Sequence, residues 1–462
     1  MTDRTSFRPT AAWLVLCVAL VAATAMSCQS TSRRTSSSEI RAGSGGIETG
    51  SVLRVFATGD GRGHLEPCGC EKDQTGGLPR RGSYLQALRR DGDLVVDVGN
   101  LTSGKGQLRD ARRTYSFDAL VTLRYDAFVP GPAETFDGEA FIRAAAERPS
   151  VAVICANWSR ADGTALFPPY LLRTAANGKR VAFIGVTEPF ADEAKAYKIS
   201  PAADAVRSVL RDLAGQVDAV VLGAAMSLPA AEELARGLVD VPAVSVILVG
   251  ATAEDDSWKA PANAARLEIA GDLGSYVTRV DLGPSLSVRD AWKSWLDDRT
   301  AEDPAMTALV KAYRDTITGF DANYVEGLVQ SHRGDGFAGS SSCVTCHVEE
   351  CRAWRSSAHS HAMKILVEKK SSRDPDCVPC HLVDSRVANE VIAVDDMGVG
   401  CEACHGASAA HVLSAQAGSV TPAKTPQRDP KSTCAGCHHP PFVKVFAIDT
   451  HWPRIEHGRR AR

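Results

Sequence analysis

Cys343-Val-Thr-Cys346-His347, Cys377-Val-Pro-Cys380-His381, Cys401-Glu-Ala-Cys404-His405 and Cys434-Ala-Gly-Cys437-His438 are four copies of one pentapeptide, C-x-x-C-H. With 14 Cys and 12 His in 462 residues, random placement gives roughly 0.01 copies per chain. The pattern is the attachment site of a c-type haem: two thiols add to the porphyrin vinyl groups and the adjacent imidazole becomes an axial ligand of the iron. Pairs of C-x-x-C also suit four-thiolate zinc sites. Neither zinc ribbons nor a disulfide framework requires a His after the second Cys, and all four copies have one. The reading is therefore four covalently bound haem c groups and electron-transfer chemistry. The cofactor-binding thiols are Cys343, Cys346, Cys377, Cys380, Cys401, Cys404, Cys434 and Cys437, with His347, His381, His405 and His438 as proximal ligands.

Outside the motifs the haem segment is poor in apolar pattern, with polar stretches at 369–376 and 415–431. So small and polar a segment lacks the side chains for its own core. The porphyrins are expected to supply the missing apolar mass, and the segment to be unfolded without them. Sixth ligands must come from elsewhere, and His359, His361, His411 and His457 are the candidates, with His332, His439, His451 and Met363 in reserve. His359 and His361 are two residues apart, so on a helix they point in different directions and could serve two irons.

At the other end, residues 1–28 begin with Arg4 and Arg8 and continue into the apolar run Ala11 to Met26, the layout of an export signal. That run is short for a membrane span. Ser27-Cys28 ends it like a bacterial lipobox, with Ala25 where Leu is usual and Cys28 as the acylated residue; an ordinary signal-peptidase site nearby is the alternative. Gln29 and Ser30 after Cys28 point to an outer-membrane anchor on the periplasmic side, by resemblance to lipoproteins. Residues 29–50, rich in Ser, Thr and Gly, read as a flexible tether. Net charge is −3 and the isoelectric point about 6.5, which excludes a nucleic-acid partner on charge. The expected partners are periplasmic or membrane redox proteins.

Between these ends, 44% apolar composition and 462 residues are enough for two domains. Eleven of the 12 histidines lie between His332 and His457, so the region before them is a different kind of object. In 51–285, short β-branched runs (52–57, 93–98, 151–156, 181–185, 217–222, 244–249 and 276–281) alternate with helical spacing at 82–90, 138–147, 202–214 and 229–238. The alternation predicts an α/β domain with strands buried on both faces. Residues 286–336 read as a helical connector, with a helix over 301–330 started by Asp303-Pro304. The haem domain is 337–462, mostly α-helical or irregular.

The order of landmarks in the α/β region resembles the 5′-nucleotidase branch of the calcineurin-like metallophosphatases. They are Thr58-Gly-Asp60-Gly-Arg62-Gly-His64, Gly76-Gly77-Leu78-Pro-Arg80, Asp97-Val-Gly99-Asn100, Ala156-Asn157, Phe183-Ile-Gly185-Val-Thr187 and Gly274 to Asp281. The resemblance implies an α-β-β-α sandwich. It also exposes departures: Arg62 stands at the His of D-x-H, Asn100 replaces a bridging Asp, and Gly131-Pro132-Ala133-Glu134 stands where G-N-H-E is expected. The two later His sites read Leu222-Gly223-Ala224 and Gly250-Ala251-Thr252, and His64 is the domain's single histidine. A dinuclear site needs several converging ligands, so the expectation is a fold kept without phosphatase activity, serving as a docking or spacer module. No catalytic residue is assigned. Cys68-Gly-Cys70 reads as a disulfide element, with Cys155 as a candidate partner for one of the pair, or else as a thiol or metal site with Asp60 and His64.

The haem segment resembles the tetrahaem cytochrome c family of the hydroxylamine-oxidation pathway. The carrying residues are Phe337-Ala-Gly339-Ser340, Trp354 to Ala362, the four motifs, Gly406, His411-Val412 and Trp452 to Gly458. The resemblance implies short helices around closely packed haem pairs. Two functions follow: a lipid-anchored electron carrier, or a redox enzyme with one five-coordinate haem acting on a small nitrogen or sulfur compound. A third, weaker reading is an active metal-dependent 5′-nucleotidase or phosphatase fused to a cytochrome, against which the missing ligands argue.

Overall fold

The computed structural model describes residues 51–68, 74–189, 196–241, 243–251, 264–320, 336–369, 371–372, 374, 377–382, 398–425, 429–439, 443 and 446–457. The export signal, Cys28, the tether and His332 lie outside the described residues.

The strands of the α/β region are β1 (Leu53–Thr58), β2 (Pro67–Cys68), β3 (Thr75–Gly76), β4 (Leu94–Asp97), β5 (Ala127–Phe128), β6 (Ala152–Val153), β7 (Trp158–Arg160) and β8 (Tyr170–Thr174). There follow β9 (Arg180–Thr187), β10 (Tyr197–Ile199), β11 (Ala219–Ala225), β12 (Val244–Val249), β13 (Arg266–Ile269), β14 (Tyr276–Leu282) and β15 (Val288–Trp295). One mixed sheet runs β15-β14-β1-β4-β5-β6 and a second runs β13-β12-β11-β9-β8. Their central strands are parallel, as buried strands joined by helical crossovers must be.

Side-chain alternation builds the layers. On β1, Leu53, Val55 and Ala57 enter the cluster between the sheets, which also takes Val181, Phe183, Val221, Val246 and Leu248 from the second sheet. Phe56 points the other way, into a layer with helices Leu78–Leu88, Gly106–Thr122 and Glu139–Ala146. The opposite faces of β9, β11 and β12, carrying Ile184, Val186, Leu222, Ile247 and Val249, pack on helices Ala202–Asp212 and Leu228–Gly237. The period of two thus sends one strand's residues to two cores, and the result is the expected α-β-β-α sandwich. At the strand ends the two sheets nearly touch: a Cβ on Gly250 would lie 1.6 Å from the Val98 carbonyl oxygen, so this junction admits only glycine.

Several elements differ from the sequence reading. Apolar spacing does not predict helix Gly106–Thr122, because its buried face includes Arg112 and Ser116. Strands β8, β13 and β15 are also additions, and β15 lies inside the stretch 286–336 expected as a helical connector. The helix expected over 301–330 spans Pro304–Thr318. Asp303 caps it by accepting from the Met306 N–H at 2.8 Å, as the Asp-Pro signal requires. Its Met306, Val310, Tyr313 and Ile317 are buried in the helix layer, at the spacing of one helix face. It completes the α/β core and is no spacer.

The C-terminal region is built of short pieces: helices Val348–Arg355, Ala362–Glu368, Val378–His381, Cys401–His405, Ala409–Gln416, Pro430–Ala435 and Ile448–His451. Its apolar cluster among the described residues consists of Met363, Leu366, Val378 and Leu382.

Candidate haem site

Each C-x-x-C-H motif forms one helical turn. The N–H of His347 donates to the Cys343 carbonyl at 2.9 Å, that of His381 to Cys377 at 3.1 Å, and that of His438 to Cys434 at 2.8 Å. Cys401–His405 is itself helical. One turn places the Cys at i, the Cys at i+3 and the His at i+4 on the same face, the arrangement that two thioether bonds and an axial imidazole require.

Distant histidines then come to three of these turns. His347 and His411 have ring centroids 6.1 Å apart, His438 and His359 6.1 Å, and His405 and His457 5.9 Å. Two metal–imidazole bonds of about 2 Å, with roughly 1.1 Å from each nitrogen to its ring centre, put centroids about 6 Å apart. The interplanar angles of 35°, 61° and 56° do not matter for this, since rotation about a metal–nitrogen axis leaves the bond intact.

The second nitrogen of several rings is already spoken for. Nδ1 of His381 donates to the Ala362 carbonyl at 2.7 Å, Nδ1 of His411 to Ala423 at 2.7 Å, and Nδ1 of His457 to Ile455 at 2.8 Å. A carbonyl partner fixes Nδ1 as the protonated nitrogen and leaves the Nε2 lone pair for a metal. Burial, followed by the neighbouring imidazoles, holds His405 and His438 below the ordinary histidine range, and burial alone does the same for His359. Neutral imidazole is the ligating form. These residues fit haem c.

The motifs also adjoin one another, the third and fourth through Cys404 and Cys437. His405 lies within electrostatic reach of His347 as well as His457, and His438 within reach of His381 as well as His359 and His451. The Cys401 thiol is in hydrogen-bond contact with Cys343, and Cys437 with Cys380. First and third motifs therefore adjoin, as do second and fourth.

Among the described residues no second imidazole is in ring contact with His381. The candidate His361 is exposed at the start of helix Ala362–Glu368, and Met363 is buried in the apolar cluster. His439 and His451 stand beside the fourth motif, His451 stacked on Phe446, which in turn stacks on His438 at 4.4 Å between centroids. Cys351 is buried against Cys401.

A residue that sequence reasoning did not assign is Glu402, inside the third motif. It is 1% exposed and accepts from the N–H groups of Gly339 at 2.7 Å, Ser408 at 2.7 Å and Ala338 at 2.9 Å. The signal was present as the one carboxylate between the cysteines of a motif. Beside it, Trp354 Nε1 donates to the Val399 carbonyl at 2.8 Å, and Val399 N–H to the His359 carbonyl at 2.8 Å. Gly398 is needed there, since a Cβ would come within 2.2 Å of the His359 oxygen.

The α/β region has a polar crater at the ends of β1 and β4. Asp60 Oδ1 accepts from Arg62 Nε at 2.9 Å and from Asn100 Nδ2 at 3.0 Å. Glu134 accepts from the N–H groups of Asn100, Leu101 and Gly131, each at 2.8 Å, and burial pushes its carboxyl up to about 7. Asp97 is likewise pushed up to about 6 by burial, against the Thr58 hydroxyl that donates to it at 2.6 Å. Among the described residues no three His, Cys, Asp or Glu side chains converge on one ion position. The two cations of a metallophosphatase do not fit this donor set. Cys155 is a free, buried thiol directed at Asn157 Oδ1 at 3.4 Å, which corrects the expected disulfide to it. Cys70 and the Cys68 side chain lie outside the described residues.

The two regions resemble two classes of protein: the α/β region has the fold of metallophosphatases, and the C-terminal region is similar to cytochromes c. Residues 342–406 match the family model described as "Cytochrome c554 and c-prime". The cytochrome c-554 of Nitrosomonas europaea is 30% identical over 135 residues, spanning 22% of this chain and 57% of that protein. Covalently bound haem c is the cofactor this match implies. The sulfate thiohydrolase SoxB of Thermus thermophilus superposes with a TM-score of 0.50 at 13% identity, covering 57% of this chain and 60% of that one. A 5′-nucleotidase precursor from Thermus thermophilus gives 0.48 at 21% identity, covering 60% of each chain. The calcineurin-like phosphoesterase YfkN of Bacillus subtilis gives 0.46 at 15%, covering 58% of this chain and 98% of that one. At these identities the likeness is one of fold.

Proposed function

We propose that the protein is an exported, lipid-anchored tetrahaem cytochrome that carries electrons between redox proteins on the periplasmic side of the outer membrane. The observation that carries the reading is the set of three histidine pairs about 6 Å apart, each joining a C-x-x-C-H histidine to a distant one. When bound, haem c supplies a one-electron iron couple and, wherever the protein offers no sixth ligand, an open coordination position. In this reading His347 works with His411, His405 with His457 and His438 with His359. Two imidazoles favour lower potentials than a Met and His pair. The contacts of Cys343 with Cys401 and of Cys380 with Cys437 support two close haem pairs, the spacing that electron hopping needs. Cys28 is the proposed acylated residue. The α/β domain serves as a docking or spacer module.

A second reading has its own observation. It takes the second motif as the open position, where His381 Nδ1 donates to the Ala362 carbonyl at 2.7 Å and leaves Nε2 for the iron. A redox enzyme acting on a small nitrogen or sulfur compound would use that position. The deciding experiment is an EPR spectrum of the ferric protein, with and without nitrite and hydroxylamine, alongside a haem count. Four low-spin haems indifferent to both compounds mean a carrier. A high-spin signal that shifts with either compound overturns the pure carrier reading. Fewer than four haems per chain overturns the tetrahaem reading itself.

A further inference from the structure

The Asp60 side chain is fully buried, and a buried carboxylate demands a compensating positive charge or donors. In this chain the compensation is internal. Arg62 Nε and Asn100 Nδ2 both donate to the same oxygen, Oδ1, at 2.9 and 3.0 Å. The Asn100 amide has only one workable orientation, because its Oδ1 accepts from the Ala133 N–H at 3.0 Å. An Asp at 100 would have no hydrogen for Asp60 and would set two carboxylates against each other, a contact that only a shared cation or proton relieves. The amide removes that need.

The backbone is shaped for the same purpose. Asp60, Arg62 and Asn100 all hold positive φ, at 46°, 48° and 57°, a conformation that non-glycine residues seldom adopt and that their surroundings must enforce. Arg62 N–H donates to the Asn100 carbonyl at 2.7 Å and Asp60 N–H to the Gly99 carbonyl at 2.8 Å, so the two loops are laced together by main chain as well. Around them stand Asp272 and Lys293, which act on each other electrostatically. Asp60 thus meets a guanidinium and an amide at hydrogen-bond distance, with a further carboxylate and ammonium nearby.

We infer that Arg62 and Asn100 are built-in replacements for divalent cations, locking the ends of β1 and β4 together and keeping metal out of the crater. The domain is then a rigid, metal-independent body whose stability does not follow cation supply.

The test uses the full-length, haem-loaded protein. Thermal unfolding of the α/β domain is followed by calorimetry, with the Soret band identifying the haem transition separately. The native protein shows no shift with Mn²⁺, Zn²⁺ or chelator. The variant Arg62→Ala/Asn100→Asp gains a rise of roughly 5 °C or more at a hundredfold excess of Mn²⁺ over Kd, and adding Asp60→Asn abolishes that gain. Asn100→Asp alone, which sets two carboxylates against each other while keeping Arg62, gives the same response at smaller size and serves if the double variant does not fold. A metal-induced shift of the native protein that Asp60→Asn removes overturns the inference. So does a folded variant that remains indifferent to both ions.

Discussion

Residues 51–320 and 336–457 solve the problem of a stable interior in opposite ways. The first region buries Phe56, Phe117, Phe128, Phe141, Trp158 and Phe183 almost completely, with Phe117, Phe128, Phe141 and Trp158 linked by ring contacts of 5.6 to 6.1 Å. Among its described residues the second has one small apolar cluster, and its polypeptide is otherwise tied by polar bonds and by histidines that meet in pairs. A core of side chains is encoded by period and volume. A core of cofactors is encoded by where covalent bonds and ligands fall, so its sequence can be polar and irregular and still specify a fold. The comparison teaches that hydrophobic patterning is a guide to foldability only when the chain supplies its own interior.

The sharpest way to break this contrast is to withhold haem. Protein made without haem attachment should lose the fold of 336–457 entirely while 51–320 persists. Limited proteolysis reads this directly: cleavage confined to the C-terminal region agrees, and equal resistance of both regions refutes the division. Next in size, Phe141→Ala should cost the α/β domain about 3–5 kcal/mol. Its unfolding transition falls while the haem spectrum stays unchanged; a simultaneous change in both would mean the regions share one cooperative interior.

The third prediction concerns pH. Burial raises the Glu134 carboxyl from 4.5 to about 7, so the folded state holds its proton more tightly than the unfolded chain does. Its contribution is complete below about pH 4.5 and is lost as pH rises through about 7, roughly 3 kcal/mol in all. Glu134→Gln should flatten that part of the slope of α/β stability between those limits. A variant with the native slope would assign the pH dependence elsewhere, and Asp97, raised to about 6, is the next group to test. The smallest effect is expected from Asp303→Ala, which removes the cap of helix Pro304–Thr318 and should cost about 1 kcal/mol. Urea midpoints of the α/β transition measure it. Loss in the haem transition instead would return that helix to the role of a connector.

What could be read from sequence followed the same division. Strands such as β9, β11 and β12 are near-continuous apolar runs, and the alternate burial of Phe183 and Ile184 between two cores is why they stand out. Helix Gly106–Thr122 was illegible because Arg112 and Ser116 sit on its buried face, where only tertiary contacts, such as Arg112 Nη1 to Ser103 Oγ at 2.7 Å, make them tolerable. Strand β15 was hidden by an edge position that leaves Arg289 and Asp290 exposed and the rest only half-buried. In the haem region the motifs named the thiols and the first histidine of each site at once. Which distant histidine meets which motif depends on loops tens of residues long, and no local pattern records that. Arg62 and Asn100 were legible as departures from the ligand set of the resembled family; that both residues bond Asp60 needed their hydrogen bonds to be seen.

Glu402 has a consequence of timing. Its carboxylate accepts from the N–H groups of Ala338 and Gly339 across a sequence separation of 64 and 63 residues, so these two donors of the approach to the first motif wait for the third. Contacts that distant form late, because the chain must close a long loop before they reward it. The first motif can close its own helical turn at once, whereas its anchoring to the rest of the region belongs among the late events of folding.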